Sequence, residues 1–201
     1  MSVDDRSNYR TLTQVARMAF PAELAAAAAE AAAVVETAAY PPLGIFSVTL
    51  AGEPLVIPYR IYEVPPRPSL VAQLSPTARS MLHCLFTRHH DGRVRQEHVQ
   101  ALFDVDKAWV APYVVALVGE YVVEVINVEH KGLSELQTSG SWQRQLYGRF
   151  MAENSQFATL TSRRVTSYWN CYYRFEYPDQ SDYPGSVVLR SLMSAAAETV
   201  A

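Results

Sequence analysis

The chain has 201 residues, 49% of them apolar and 18% charged, which is enough material for a packed core and too apolar for a disordered segment. Seventeen Lys and Arg against 20 Asp and Glu give a formal charge of -3, so the polybasic footprint of a general nucleic-acid binder is absent. Two cysteines, Cys84 and Cys171, neither in a CxxC spacing, indicate no disulfide framework and no zinc knuckle.

Residues 1–10 are polar and read as a flexible N-terminus. From Thr11 a short helix is expected to reach Phe20, with Pro21 opening a second helix through the alanines to about Ala39. Glu23, Glu30 and Glu36 interrupt that alanine stretch, which excludes a membrane span there and leaves no export signal, so the expected location is cytoplasmic. Ile45–Leu50 and Leu55–Tyr62 are rich in β-branched and aromatic residues and predict a small β-hairpin at about 45–62, joined through residues 51–54. Pro58 assigns its second strand to an edge or a bulge. Pro65, Pro66 and Pro68 form the only linker-like stretch, and its shortness predicts one domain over 11–197.

Ser75-Pro76 is a helix start, and Ala78, Met81, Leu82, Leu85 and Phe86 follow on one face until a stop near His90. A partner helix over about 93–103 completes a helical hairpin. Thirteen of the 20 residues from Trp109 to Val128 are Val, Leu, Ile, Trp or Tyr, which predicts a buried central helix, with buried strands as the alternative. Glu120 and Glu124 would mark its one solvated edge. Over 142–175 one apolar row is Trp142, Leu146, Phe150, Phe157, Leu160, Tyr168, Cys171 and Phe175. The adjacent row is Tyr147, Met151, Ala158, Val165, Trp169 and Tyr172, and Asn154-Ser155 is a point of division. A turn at residues 183–185 and a last helix from Ser186 to about Ala197 complete a mainly α fold of packed helical hairpins.

Asp91, Gly92, Arg93, Val94 and Arg95, followed by Val99, Ala101 and Leu102, resemble the junction of a HEAT-type repeat: an aspartate in the turn, a Val-Arg pair opening the second helix, small and apolar positions after it. The resemblance covers residues 76–129. It implies a scaffold that presents helical surface to partners, and it carries over no catalytic residues.

Four of the five histidines, His83, His89, His90 and His98, fall within sixteen residues. Within one helix His83 and His90 are seven positions apart, about 10.5 Å of rise, whereas helical chelation uses three- or four-residue spacing, so no metal ligands are assigned. His89 and His90 are expected in the last turn of their helix, facing its dipole. With Arg88, Arg93 and Arg95 they form a basic turn that suits an acidic partner or, alternatively, a solvated turn with local ion pairs. Both cysteines read as buried structural residues.

The densest feature is residues 168–183, which hold seven of the chain's 22 aromatics. Consecutive aromatics cannot all enter one core. Residues 142–175 also carry Arg144, Arg149, Arg163, Arg164 and Arg174 against Glu153, a basic stretch in an acidic chain. Tyr, Trp and Arg are the residues enriched at binding hot spots. The expected contact residues are therefore Arg163, Arg164, Tyr168, Trp169, Tyr172, Tyr173 and Arg174, with His89, His90 and Arg93 of the basic turn. Arginines paired with acidic residues of the N-terminal half are the competing account.

Nucleotide-loop, nucleophile-elbow, zincin and EF-hand patterns are all missing, so the reading leans away from an enzyme and implies no cofactor. It points to a protein-interaction or scaffold domain with an unidentified protein partner, without nucleic acid or membrane. Excess apolar surface would make a homodimer. The second reading is a small-molecule-binding protein or enzyme with a pocket between the 168–183 aromatics and the histidine-bearing hairpin at 83–98.

Overall fold

The computed structural model describes residues 11–200, so the flexible start expected over 1–10 lies outside the described residues. The fold is mainly α with one antiparallel two-stranded sheet near the N-terminus, the class that the periodicities predict. By internal contacts the chain divides into two compact units, Met1–Ala101 and Leu102–Ala201. The division falls inside the stretch of HEAT-type resemblance.

In the first unit, α1 (Leu12–Ala19) opens with a capping box: Thr11 Oγ1 accepts from the Gln14 N–H, and Gln14 Oε1 accepts from the Thr11 N–H. A 3-10 turn at Ala22–Leu24 leads into α2 (Ala25–Ala33), where Ala28, Ala31 and Ala32 are buried and allow close approach to neighbours. α2 ends six residues before Ala39, where Val34 and Val35 meet Thr37, residues that lose side-chain freedom in a helix. β1 (Leu43–Leu50) and β2 (Glu53–Arg60) pair in register Leu50↔Glu53 and Val48↔Leu55. Their connection is two residues, not four: Ala51 and Gly52 both take positive φ, 51° and 83°, as a tight hairpin turn requires. Pro54 and Pro58 fit because each strand of a two-stranded sheet has an open edge.

A short helix, α3 (Pro68–Val71), precedes α4 (Pro76–Phe86), which starts where Ser75 predicts. Ser75 Oγ accepts from the Ala78 N–H at 3.3 Å and donates to Glu30 Oε2 at 2.8 Å, tying the cap to α2. The Ser75 backbone N–H also donates to Glu30, at 2.6 Å, and this bond is the main cause holding the Glu30 carboxyl below its ordinary range. α4 stops at Phe86 rather than near His90. The cause is remote in sequence: Ile61, just beyond β2, donates to the Arg88 carbonyl and accepts from the His90 N–H, both at 3.0 Å, in a parallel bridge. Asp91 then caps α5 (Gly92–Gln100), accepting from the Arg93 N–H at 2.8 Å.

In the second unit the segment expected as one buried helix is two. A 3-10 turn at Ala108–Val110 runs into α6 (Ala111–Val118), buried at all eight positions, and α7 (Val123–Gly132) follows after a break. The break separates the two glutamates, leaving Glu120 buried and Glu124 exposed, so they do not form one solvated edge. α8 (Trp142–Glu153), capped by Ser141, and α9 (Ser155–Tyr168) are divided at Asn154, as the sequence predicts; its side-chain amide donates to the Phe150 carbonyl. A π-helical turn, Trp169–Tyr173, extends α9. α10 (Pro184–Val200) begins two residues before Ser186, with Pro184 in its first turn and the Tyr183 carbonyl accepting from Ser186 and Val187, so residues 183–185 are a helix start rather than a free turn.

α6 forms the centre, touching α7, α8, α9 and α10. α10 lies along α8, where Gly148 permits the approach: a Cβ there would sit 2.6 Å from the Ala195 carbonyl oxygen. Of the two rows over 142–175, the one carrying Tyr147, Met151, Ala158 and Val165 faces inward as far as Val165, whereas its last members differ, Trp169 half-buried and Tyr172 exposed. In the other, only Phe150 is buried, while Leu160, Cys171 and Phe175 are exposed. The Asn154 break and the wider π turn each reset the helical phase, so a row drawn at constant period does not stay on one face.

Candidate interaction surface

The 168–183 aromatics sort into props and exposed rings. Tyr173 is a prop: its hydroxyl donates to the Tyr121 carbonyl and accepts from the Val123 N–H at 3.3 Å. That one oxygen serves two backbone groups released where α6 gives way to α7. Burial is the main cause pushing the Tyr173 hydroxyl pKa up. Trp169 donates from Nε1 to the Tyr177 carbonyl at 2.9 Å, tying the π turn to the chain that follows. Tyr183 is fully buried, stacks on Tyr173 at 5.4 Å, and is pushed up in pKa by burial.

Outward from these props the rings form a connected series. Tyr173 meets Tyr172 at 6.3 Å between ring centres, Tyr172 meets Tyr168 at 6.2 Å, and Tyr168 meets Tyr121 edge-on at 6.1 Å. Tyr121, Tyr172 and Phe175 are 52%, 64% and 87% exposed. The Arg174 guanidinium lies 5.2 Å from the Phe175 ring centre, a cation–π contact at the surface. On α9, Leu160 and Arg163 are exposed and Arg164 is half-buried beside Gly119. Tyr121 is a member that sequence reasoning missed, because it precedes the cluster by 47 positions and joins it through the Tyr168 ring and the Tyr173 hydroxyl, contacts that sequence spacing does not show. Cys171, expected as buried, is exposed on the π turn.

The arginines divide likewise. Arg144 is closed within its own unit: it donates to Glu198 at 2.7 Å, to Ser194 Oγ at 2.8 Å and to the Leu136 carbonyl at 2.5 Å. The carboxylate that Arg144 pairs with thus belongs to the C-terminal helix. A cavity of about 320 Å³ between α8 and α10 is lined by this pair and by Arg149; its polar lining lacks the mainly apolar walls of a small-molecule pocket.

The basic turn of the first unit presents little of its charge. Arg88, His89 and Arg95 are buried, and only His90 and Arg93 are exposed. Arg95 donates to the His89 and His90 carbonyls at 2.8 and 2.9 Å, drawing the turn inward. His89 and His90 thus lie beyond α4, held by Ile61 and Arg95, and not in its last turn against the dipole. His83 and His98 meet across the α4–α5 hairpin with their Nδ1 atoms 3.0 Å apart, and Phe86 stacks on His98 at 4.9 Å. Burial, then the charges of His83 and His89, push His98 down to about 3. Burial and Arg79 lower His83, and burial and His90 lower His89. Burial raises the neighbouring Glu63 carboxyl. Among the described residues no three His, Cys, Asp or Glu side chains gather as a metal cage, and no helix is long and apolar enough to cross a membrane.

Compared with known proteins, the chain matches no family model, no curated protein and no solved structure.

Proposed function

We propose that the chain is a cytoplasmic, non-catalytic interaction domain that offers the Tyr121, Tyr168, Tyr172, Arg174 and Phe175 face, with Arg163 beside it, to a protein partner. The observation that carries this reading is the exposure of Tyr172 on the π turn and of Phe175 just beyond it, while Trp169 and Tyr173 of the same turn are fixed by hydrogen bonds. A large apolar ring held in solvent on a braced support is costly to leave uncovered and less costly to bind than one on a mobile loop, because the backbone beneath it is already ordered. The arginines beside it suit a partner with acidic groups around an apolar contact. The Asp91-capped hairpin fits the same reading as a unit of the HEAT kind, in which helices serve as surface.

The test compares wild type with a Tyr172→Ser, Phe175→Ser variant by affinity capture with quantitative mass spectrometry, alongside light scattering. A partner retained by wild type and lost by the variant at unchanged Tm supports the reading. A wild-type dimer that becomes monomeric in the variant identifies a second copy as that partner. Identical captured sets and identical masses would defeat it.

A further inference from the structure

The first unit holds a feature independent of the aromatic face. His83 on α4 and His98 on α5 bring Nδ1 to Nδ1 at 3.0 Å, which requires one neutral imidazole to donate and the other to accept. We infer that this pair is a two-imidazole site for a borderline divalent transition-metal ion, Cu(II) above others, clamping α4 to α5. Metal–nitrogen bonds of about 2.0–2.1 Å place nitrogens at this separation about 95° apart at the metal. That is the angle between neighbouring ligands of a square-planar or tetragonal ion, and narrower than the tetrahedral angle zinc adopts. His98 is braced by stacking on Phe86, while half-buried His83 gives the open side through which the ion enters and water completes its coordination.

Binding needs no net loss of protons: the imidazole that donates Nδ1–H transfers its proton to its own Nε2, and the rings turn so that the two Nδ1 lone pairs, which meet along the hydrogen bond in the metal-free pair, converge on the ion beside that line. Burial already favours the neutral rings that ligate. The neighbours set the coordination at two protein ligands. His89 accepts from the Asp91 N–H through Nδ1 at 3.1 Å and bonds the Glu63 backbone, so its nitrogens are engaged. Burial pushes the Cys84 thiol well up, away from the thiolate a metal takes. Arg79, whose guanidinium is held by the Val71, Ala72 and Leu74 carbonyls, adds a positive charge near His83 and opposes the ion. Affinity is therefore modest and goes to the ion at the top of the divalent series, copper.

The test is a Cu(II) titration of the full chain carrying Cys171→Ser, which removes the exposed thiol, read by calorimetry and electron paramagnetic resonance. One equivalent with two imidazole nitrogens in its spectrum, a raised Tm, and an affinity at least about tenfold above Zn(II) are expected. His83→Gln lies at a half-buried position and is expected to keep its circular dichroism while losing about tenfold or more in affinity. His98→Gln should lose the same; if that buried change unfolds the unit, His83→Gln decides alone. Absence of binding at about 100 µM protein, well above a useful two-ligand affinity, overturns the inference. So does a spectrum and affinity unchanged in His83→Gln, which would locate the copper on other groups.

Discussion

The histidine-bearing turn of the first unit and the aromatic segment of the second are the two places where chemistry-bearing side chains crowd together, and they are built in opposite ways. At residues 83–98 the backbone beyond α4 is captured by Ile61 and Arg95, which draws Arg88 and His89 inside, while His98 packs on Phe86 across the hairpin. At 168–175 the backbone stays helical through a π turn, and successive rings must point in different directions, so Tyr173 goes to the backbone while Tyr172 and Phe175 stand in solvent. Density of polar or aromatic residues therefore does not mark a surface. What decides exposure is whether a distant segment claims the backbone between them.

The largest effect expected from breaking this contrast is at Arg95. Arg95→Met keeps most of the buried volume but leaves the His89 and His90 carbonyls without their guanidinium donor, at a cost of about 2–4 kcal/mol. Chemical denaturation followed by circular dichroism should show it as a lower midpoint. A loss under about 0.5 kcal/mol would mean that the turn is held by Ile61 alone.

Acid should open the same region by a different route. His98 is pushed down to about 3 in the native protein from an ordinary 6.5, so between those values the unfolded chain binds a proton that the native chain does not. Stability is full above about pH 6.5 and falls as pH drops toward 3, by about 2–3 kcal/mol at pH 4.5 from this group alone. His83 and His89, also lowered, act in the same sense, while Glu63, raised by burial, acts against them. Native stability measured from pH 7.5 to 4.5 should have a positive slope with pH that flattens in His98→Gln; equal slopes in both proteins would contradict the assignment.

The third effect is smaller and tests the prop under the exposed face. Tyr173→Phe removes one hydroxyl that joins the Tyr121 carbonyl to the Val123 N–H, costing about 1 kcal/mol. Hydrogen exchange should quicken at the start of α7 and at Tyr121 more than elsewhere. Uniform exchange across α6 and α7 would show that the break does not depend on this bridge.

What was legible in the sequence follows the range of the interactions. Ser75 reads as a cap, and Thr11, Asp91 and Ser141 act in the same way, because in each a side-chain oxygen reaches a backbone N–H two or three residues on, which is local information. The hairpin and the division at Asn154 are local in the same way. The end of α4 was not legible, since Ile61, more than twenty positions earlier, ends it. Nor was the break between α6 and α7, bridged by a hydroxyl fifty positions later. The His83–His98 pair was hidden because helical spacing describes one helix and the pair spans two. At the candidate surface the segment was visible, but constant periodicity placed Cys171 and Phe175 inside, on a face that the wider turn rotates outward.

The smallest stability effect and the sharpest functional one should come from the same residue. Phe175 is 87% exposed, with the Arg174 guanidinium 5.2 Å from its ring centre. An exposed cation–π contact contributes about 0.5–1 kcal/mol at most, so Phe175→Ser should shift Tm by no more than a few degrees. A ring that does so little for the fold and remains in water has its apolar area available to a partner, and truncating such an anchor at the centre of an interface commonly costs 2 kcal/mol or more of binding, about thirtyfold in affinity. Arg95→Met should give the reverse: a large loss of stability, and unchanged affinity at the aromatic face for the protein that remains folded. Measuring both variants for both quantities separates the inward turn from the outward one. If Phe175→Ser lowers stability as much as Arg95→Met, the ring is packed in solution, and the π turn is a structural joint rather than a contact surface.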